Sequence, residues 1–374
     1  MISQPEVLTK LEAVEPLLPE WRVLADAGAG SALQAPDWLM PLARRYLRAE
    51  QPRVLVWRDE QGALVGIAPM GLQASRPRLR PLGQLHFWGT TGPLMRGLVD
   101  VVATEQARPH VLDSLCRWLR DERDWDVLRL RPPAGSGTPA RIAREAQPAG
   151  WSYAPYRSLR SLTFQLELPD SAEGWQKHLS SKTRKVMRWE MRKFADERGG
   201  AIEQVSEPDD LAAALDAVER LLGARWAERE IYFRLDPLFR AQVHEAVPTL
   251  VEQGKAWVTV ARNDSGILGC LVSMEQNGHA LALLLAVATD ADYRRYSLGK
   301  HLFDVGIGEA VARGCRDYDF LWVGAYKEDF WKADGRPLEM ALVGRGLLGR
   351  PLAKFMARRD ERRSRVVGAR LNLE

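Results

Sequence analysis

A 17-residue stretch occurs twice in this chain. Residues 54–70 (VLVWRDEQGALVGIAPM) and 258–274 (VTVARNDSGILGCLVSM) align without a gap and share six positions: Val54/Val258, Val56/Val260, Arg58/Arg262, Gly62/Gly266, Leu64/Leu268 and Met70/Met274. Each copy reads as a strand, an acidic or polar turn ending in Gly, and a second strand. The Gly suits the positive φ of a tight hairpin turn. A second pair follows in the same order. Residues 123–130 (RDWDVLRL) and 316–323 (RDYDFLWV) share four of eight positions, and a helical pattern precedes each, near 111–120 and 300–313. Two ordered matches on equivalent elements imply a duplicated α/β unit: hairpin, further strand, helix, strand. Gly- and Pro-rich punctuation at 132–137 and 148–150 separates the copies, which gives a division into 1–150 and 151–374.

Composition narrows the class. The chain has 374 residues, 46% hydrophobic and 27% charged, long enough for two ordinary domains and too apolar for a disordered chain. The N-terminal 20 residues carry no signal-peptide pattern. The longest apolar run, 280–288, is far short of the roughly 20 residues of a membrane-spanning helix. Cys116, Cys270 and Cys315 have no metal-ligand or disulfide spacing, which predicts no metal and a reducing, cytoplasmic setting. Two stretches are basic. Residues 176–198 hold eight positive and three negative side chains, and 345–370 hold nine positive against Asp360 and Glu361. Each reads as a solvated helix face or as a surface for a polyanion. Leu347, Leu348, Leu352 and Phe355 add a membrane-surface alternative for the second.

Only the second copy carries a phosphate-binding pattern at its helix. After the strand 280–288 come Arg294-Arg295-Tyr296-Ser297-Leu298-Gly299-Lys300, then an apolar stripe of Leu302, Phe303, Ile307, Ala310 and Val311. The first amides of a helix have no internal partners and the helix dipole adds partial positive charge there, so this turn is an anion site. Nothing in residues 87–97 of the first copy reproduces it.

These residues resemble the acyl-CoA motif of the GNAT superfamily, written Arg/Gln-x-x-Gly-x-Gly/Ala. Arg294 stands first and Gly299 last, and Ser297 replaces the first glycine. Tyr-Ser-Leu-Gly resembles the Tyr-Ser-Pro-Gly of GNAT proteins of the CelD/BcsL type, with Leu298 in place of proline. Tyr318-Asp319-Phe320, Gly324 and Tyr326-Lys327 resemble that group's Asp-Phe…Gly…Tyr-Lys signature. Arg225-Trp226 and the basic helix over 182–193 also resemble its markers. The likeness spans roughly 38–357. It implies an α/β (α+β) fold of two tandem GNAT-like domains, each a mixed twisted sheet flanked by helices.

The resemblance further implies a CoA-dependent N-acyltransferase that moves an acyl group, acetyl foremost, to an amine on a sugar, amino acid or polysaccharide precursor. Ala286 and Val287 would then run beside pantetheine, with Arg294, Arg295, Ser297, Leu298, Gly299 and Lys300 at the diphosphate. Lys327 is the candidate for polarising the carbonyl, Tyr326 for protonating the thiolate, and Asp319 or Glu275 for the base. Asp319 also has a structural reading, because its counterpart Asp126 stands in the copy without the motif. Arg225, Trp226 and Tyr232 are candidates for the acceptor pocket, with wall and core roles as the alternative. Tandem GNAT halves are also the architecture of Fem-type transferases, which use aminoacyl-tRNA; the spacing of the loop favours CoA over nucleic acid. A binding protein that keeps the fold without chemistry is the third reading.

Overall fold

The computed structural model describes residues 4–28, 30–46, 51–75, 82–90, 98–157, 162–227, 237–322 and 326–371. Two compact units divide it: Met1–Thr163 with Trp322–Gly324 and Gly335–Glu374, and Phe164–Leu321 with Ala325–Asp334. Where the sequence reading divides the chain at 150, the packing divides it at Thr163 and returns the C-terminal segment to the first unit.

The first unit opens with β1 (Glu6–Leu8), α1 (Leu18–Ala27), β2 (Gln51–Arg58), β3 (Leu64–Ser75) and β4 (Leu82–Phe87). These four strands form an antiparallel meander. A short β5 (Val102–Ala103) pairs with β3, and α2 (Arg108–Asp121) leads into β6 (Val127–Leu130), parallel to β4. After β7 (Ser152–Pro155) the second unit runs through the same programme. It comprises β8 (Leu162–Glu167), α3 (Ser181–Arg198), β9 (Ala201–Val205), α4 (Pro208–Ala227), β10 (Ala256–Asn263), β11 (Gly266–Gln276), β12 (His279–Val287), α5 (Leu298–Ala312) and β13 (Asp317–Trp322). Here β9 to β12 form the meander and β13 lies parallel to β12. The chain ends with α6 (Tyr326–Trp331), β14 (Asp334–Pro337), β15 (Ala341–Gly344) and α7 (Gly346–Leu371). Strand β15 goes back to the first sheet, antiparallel to both β6 and β7. The sheet orders are β1-β2-β3-β4-β6-β15-β7 and β14-β8-β13-β12-β11-β10-β9. Both sheets are mixed and flanked by helices, as the duplication requires.

The repeat extends to single residues. Gly62 and Gly266 both take positive φ (84° and 115°) at their hairpin turns. The ladder slips by one residue between Trp57 and Arg58 in one hairpin and between Ala261 and Arg262 in the other, at aligned positions. Each slip aims an arginine at an acid near the start of a helix earlier in the same unit: Arg58 at Glu20 of α1 (2.6 Å), Arg262 at Asp210 of α4 (3.2 Å). The shared arginine is therefore a duplicated strut between hairpin and helix.

In the second unit α5 lies close on the sheet because two glycines let it. A Cβ on Gly306 would come within 2.7 Å of Leu271, and one on Gly269 within 2.7 Å of Leu302. Leu302, Phe303, Ile307, Ala310 and Val311 are buried on the underside of the helix. Phe303 meets Phe320 edge-on (centroids 4.9 Å apart), and Trp331 completes the cluster without exposure. Burying each such side chain is worth about 1.5–3 kcal/mol, so this apolar block fixes where the first turn of α5 sits.

Candidate active site

Among the described residues, strands β12 and β13 pair at three positions: His279 with Asp317, Ala280 with Tyr318 and Leu281 with Asp319. Beyond that rung β12 runs to Val287 still hydrogen-bonded to β11, while β13 turns away. The turn has a local cause. Leu321 adopts φ 58°, a left-handed conformation costly for a residue with a Cβ, and its N–H donates to Asp319 Oδ1 at 2.6 Å. Irregular register between Val272 and Ser273, opposite β12, marks the other wall. The edge of β12 over 284–287 thus has main-chain groups for which β13 offers no paired rung among the described residues, which suits an extended amide-bearing ligand. Ala286 is buried there and Val287 half-buried.

The first turn of α5 closes the open end of this gap. Arg294 Nε donates to Thr289 O (2.5 Å), folding the loop back onto its strand. Tyr296 is fully buried, and its hydroxyl donates to Glu197 (2.7 Å) and accepts from Arg295 (2.8 Å). Arg295 also pairs with Glu197 at 2.7 Å. Ser297 takes φ 50°, the left-handed conformation that the usual glycine would adopt freely. Leu298 anchors the helix in the core, and a Cβ on Gly299 would meet nothing closer than 3.8 Å. The Lys300 ammonium lies 4.8 Å from the Phe330 ring centroid. Lys300 N–H turns back to Ser297 O at 2.8 Å, so the amides of Leu298 and Gly299 are the open donors of this turn among the described residues.

One residue here has no place in the sequence reading. Glu190 of α3 accepts from Ser297 Oγ (3.0 Å) and bonds His301 Nε2 (3.2 Å). Burial lowers the pKa of His301 despite the opposing pull of Glu190, and a carboxylate oxygen can only accept from the Nε2–H. A negative charge therefore stands beside an anion loop. Its sequence signal was slight: one acid among Arg188, Arg192 and Lys193.

Asp319 stands on the last paired rung, where the strands part. Glu275 lies on β11 opposite Ala280, at the closed end, with its amide bonded to Lys255 O (2.9 Å). Arg225 is half-buried at the end of α4. The side chain of Trp226, and Tyr232, Gly324 and residues 91–97, lie outside the described residues. Tyr326 and Lys327 begin the helix α6, not a strand. Neighbouring positions on a helix differ by about 100° in direction. Their side chains also lie outside the described residues. The thiols are poor nucleophiles, with burial pushing Cys116 up to about 11 and Cys270 to about 12.

Residues 181–333 match the family model described as an acetyltransferase (GNAT) domain. That span holds the gap, the loop and α3. Among solved structures the chain is similar to FemX, with 13% identity, 91% of this chain and 98% of that chain covered, and a TM-score of 0.63. It is also similar to the C-terminal domain of a protein assigned as a lysylphosphatidylglycerol synthetase of Agrobacterium fabrum, at 12% identity, 92% and 96% coverage and a TM-score of 0.51. A tandem GNAT protein from the clavulanic acid pathway aligns over 92% of this chain and 98% of that chain with 15% identity and a TM-score of 0.46. No curated protein matches. At these identities the likeness concerns the fold.

Proposed function

We propose that the chain is a CoA-dependent N-acyltransferase. The observation that carries this reading is the parting of β12 from β13 beside the open amides of Leu298 and Gly299. Acyl-CoA would lay its pantetheine along residues 282–287 and its diphosphate on the first turn of α5. An acceptor amine attacks the thioester carbonyl, the C–S bond breaks, and the amine's proton leaves as the thiolate gains one. Lys327 and Tyr326, opening α6 a few residues past β13, are the candidates for steadying the oxyanion and protonating the thiolate. Asp319 is better suited to holding the Leu321 turn than to proton abstraction.

Two observations favour a second reading, transfer of an amino acid from aminoacyl-tRNA. Glu190 would repel a diphosphate at Ser297. On α3, Lys182, Lys185, Arg188 and Arg192 are exposed around Trp189, itself 52% exposed, a basic and aromatic face suited to a nucleic-acid strand.

Calorimetric titration with CoA and acetyl-CoA separates the two. Under the first reading the protein binds, Gly299→Trp abolishes binding while keeping its fold, and Glu190→Gln tightens it about tenfold by removing a like charge. Absence of binding by both the native protein and Glu190→Gln overturns the CoA reading. Charged tRNA, with affinity falling steeply with salt, would then support the second.

A further inference from the structure

The first unit contains a buried cation without a partner. Arg131 follows β6, two residues past Arg129, the last residue of β6 paired with β4. Its backbone is engaged, with its carbonyl accepting the N–H of Val99 at 3.2 Å. Its side chain is 1% exposed, and Nε, Nη1 and Nη2 all lack a hydrogen-bond partner. Among the described residues it is the one guanidinium with all three nitrogens in that state.

Its surroundings are partly built for charge. Side chains two apart on a strand share a face, so Arg129 stands beside Arg131. Arg129 is 6% exposed and bonds Asp360 of α7 (2.9 Å) and the Tyr156 hydroxyl (3.3 Å), yet its Nε is also unpartnered. Asp360 is shared further with Arg359 (3.4 Å). Two buried guanidinium groups therefore face one carboxylate, an excess of one positive charge. Burial disfavours the charged form of Arg131, and Arg129 adds to that. Arginine does not escape by losing its proton, and leaving a buried charge unpaired is among the costlier arrangements in a protein.

We propose that Arg131, with Arg129 Nε and Tyr156, forms a buried site in the first unit for a singly charged oxyanion at the end of a small molecule. A carboxylate and a phosphodiester share the needed chemistry: one negative charge to balance the excess, and two oxygens for the guanidinium fork. The site is independent of the GNAT-type domain and stands whichever donor that domain uses.

The test measures the thermal midpoint of the full-length protein in chloride, sodium acetate and dimethyl phosphate at equal ionic strength. The expected result is a rise of about 3–5 °C at tenfold excess over Kd with at least one oxyanion. Arg131→Met should lose that rise and be no less stable than the native protein in chloride, because the variant no longer buries an unpaired charge. Acetate alone acting assigns a carboxylate; dimethyl phosphate alone assigns a phosphodiester. Should Arg131→Met fail to fold, arginine-labelled native protein provides the reading, with a buried Nε resonance shifting on titration of the same anions. A midpoint and a spectrum indifferent to both anions would overturn the proposal and leave Arg131 to buried water.

Discussion

His301 is buried beside Glu190, and that burial has a pH signature. Its pKa in the folded protein is lowered from 6.5, first by burial. Below 6.5 the unfolded chain takes up a proton that the folded chain refuses, so stability rises with pH through that window. The contribution is complete above about 6.5 and disappears as pH falls through the folded value. The thermal midpoint should therefore fall on acidification from pH 7 to 5, more steeply in the native protein than in His301→Gln. Parallel profiles would remove His301 from the account. Asp319 poses a second residue-scale question. Asp319→Ala deletes the acceptor of the Leu321 N–H and should cost about 1 kcal/mol in denaturant unfolding. Asp319→Asn keeps an acceptor oxygen and should cost less while leaving the acid limb of a pH–rate profile in place. Loss of that limb would make Asp319 the base after all. The sequence suggested the structural role through Asp126, the aligned carboxylate of the copy without the loop. It offered only a slight signal for Glu190, whose importance comes from a meeting across 107 residues.

At the scale of elements, the apolar stripe of α5 was legible because a 3.6-residue period survives in any context. The closeness of its packing was not, since Gly306 and Gly269 are small only in relation to what lies opposite. Gly306→Val would place carbon against Leu271 and should destabilise by about 1–3 kcal/mol through overpacking; chemical denaturation reads this directly. Helix α7 was legible as basic but not as part of a core. Ala353, Met356 and Ala357 are buried against its unit, while Leu347 (92%), Leu348 (49%) and Phe355 (63%) are exposed among arginines and Lys354. Such a face suits an anionic membrane surface. Leu347→Ser with Leu348→Ser and Phe355→Ser should abolish flotation with anionic vesicles and leave the thermal midpoint nearly unchanged. Equal flotation of both proteins would dismiss these three side chains as the membrane contact, and no flotation of the native protein would dismiss the membrane. Truncation is the wrong tool here, because a chain ending at Leu342 would cut β15 in half.

That strand shows how the whole molecule departs from two sequential modules. The duplication was readable since both hairpins keep their turn glycine, their slipped register and their arginine. The return of the chain was not, because β15 is a four-residue apolar run whose partners stand more than 180 residues upstream. Its burial is complete, and it sits between β6 and β7, so the first sheet is not continuous without it. The consequence is an asymmetry between the halves. Residues 162–337 contain all seven strands of the second sheet together with α5 and its core, and should fold alone with a cooperative transition. Residues 1–163 lack β15, the buried face of α7 and the Asp360 carboxylate, and would expose the edges of β6 and β7. That fragment should aggregate or show no cooperative unfolding. Joining 1–163 to 335–374 through a short flexible linker should restore a sharp transition, because Met340 O already accepts the Tyr156 N–H at 3.0 Å and the two segments need to be brought only a short way together. Circular dichroism melts of the three proteins test this. A cooperative melt of 1–163 alone would show that β15 is an accessory to the first unit, whereas recovery only in the joined protein would make the second unit an insertion within the first.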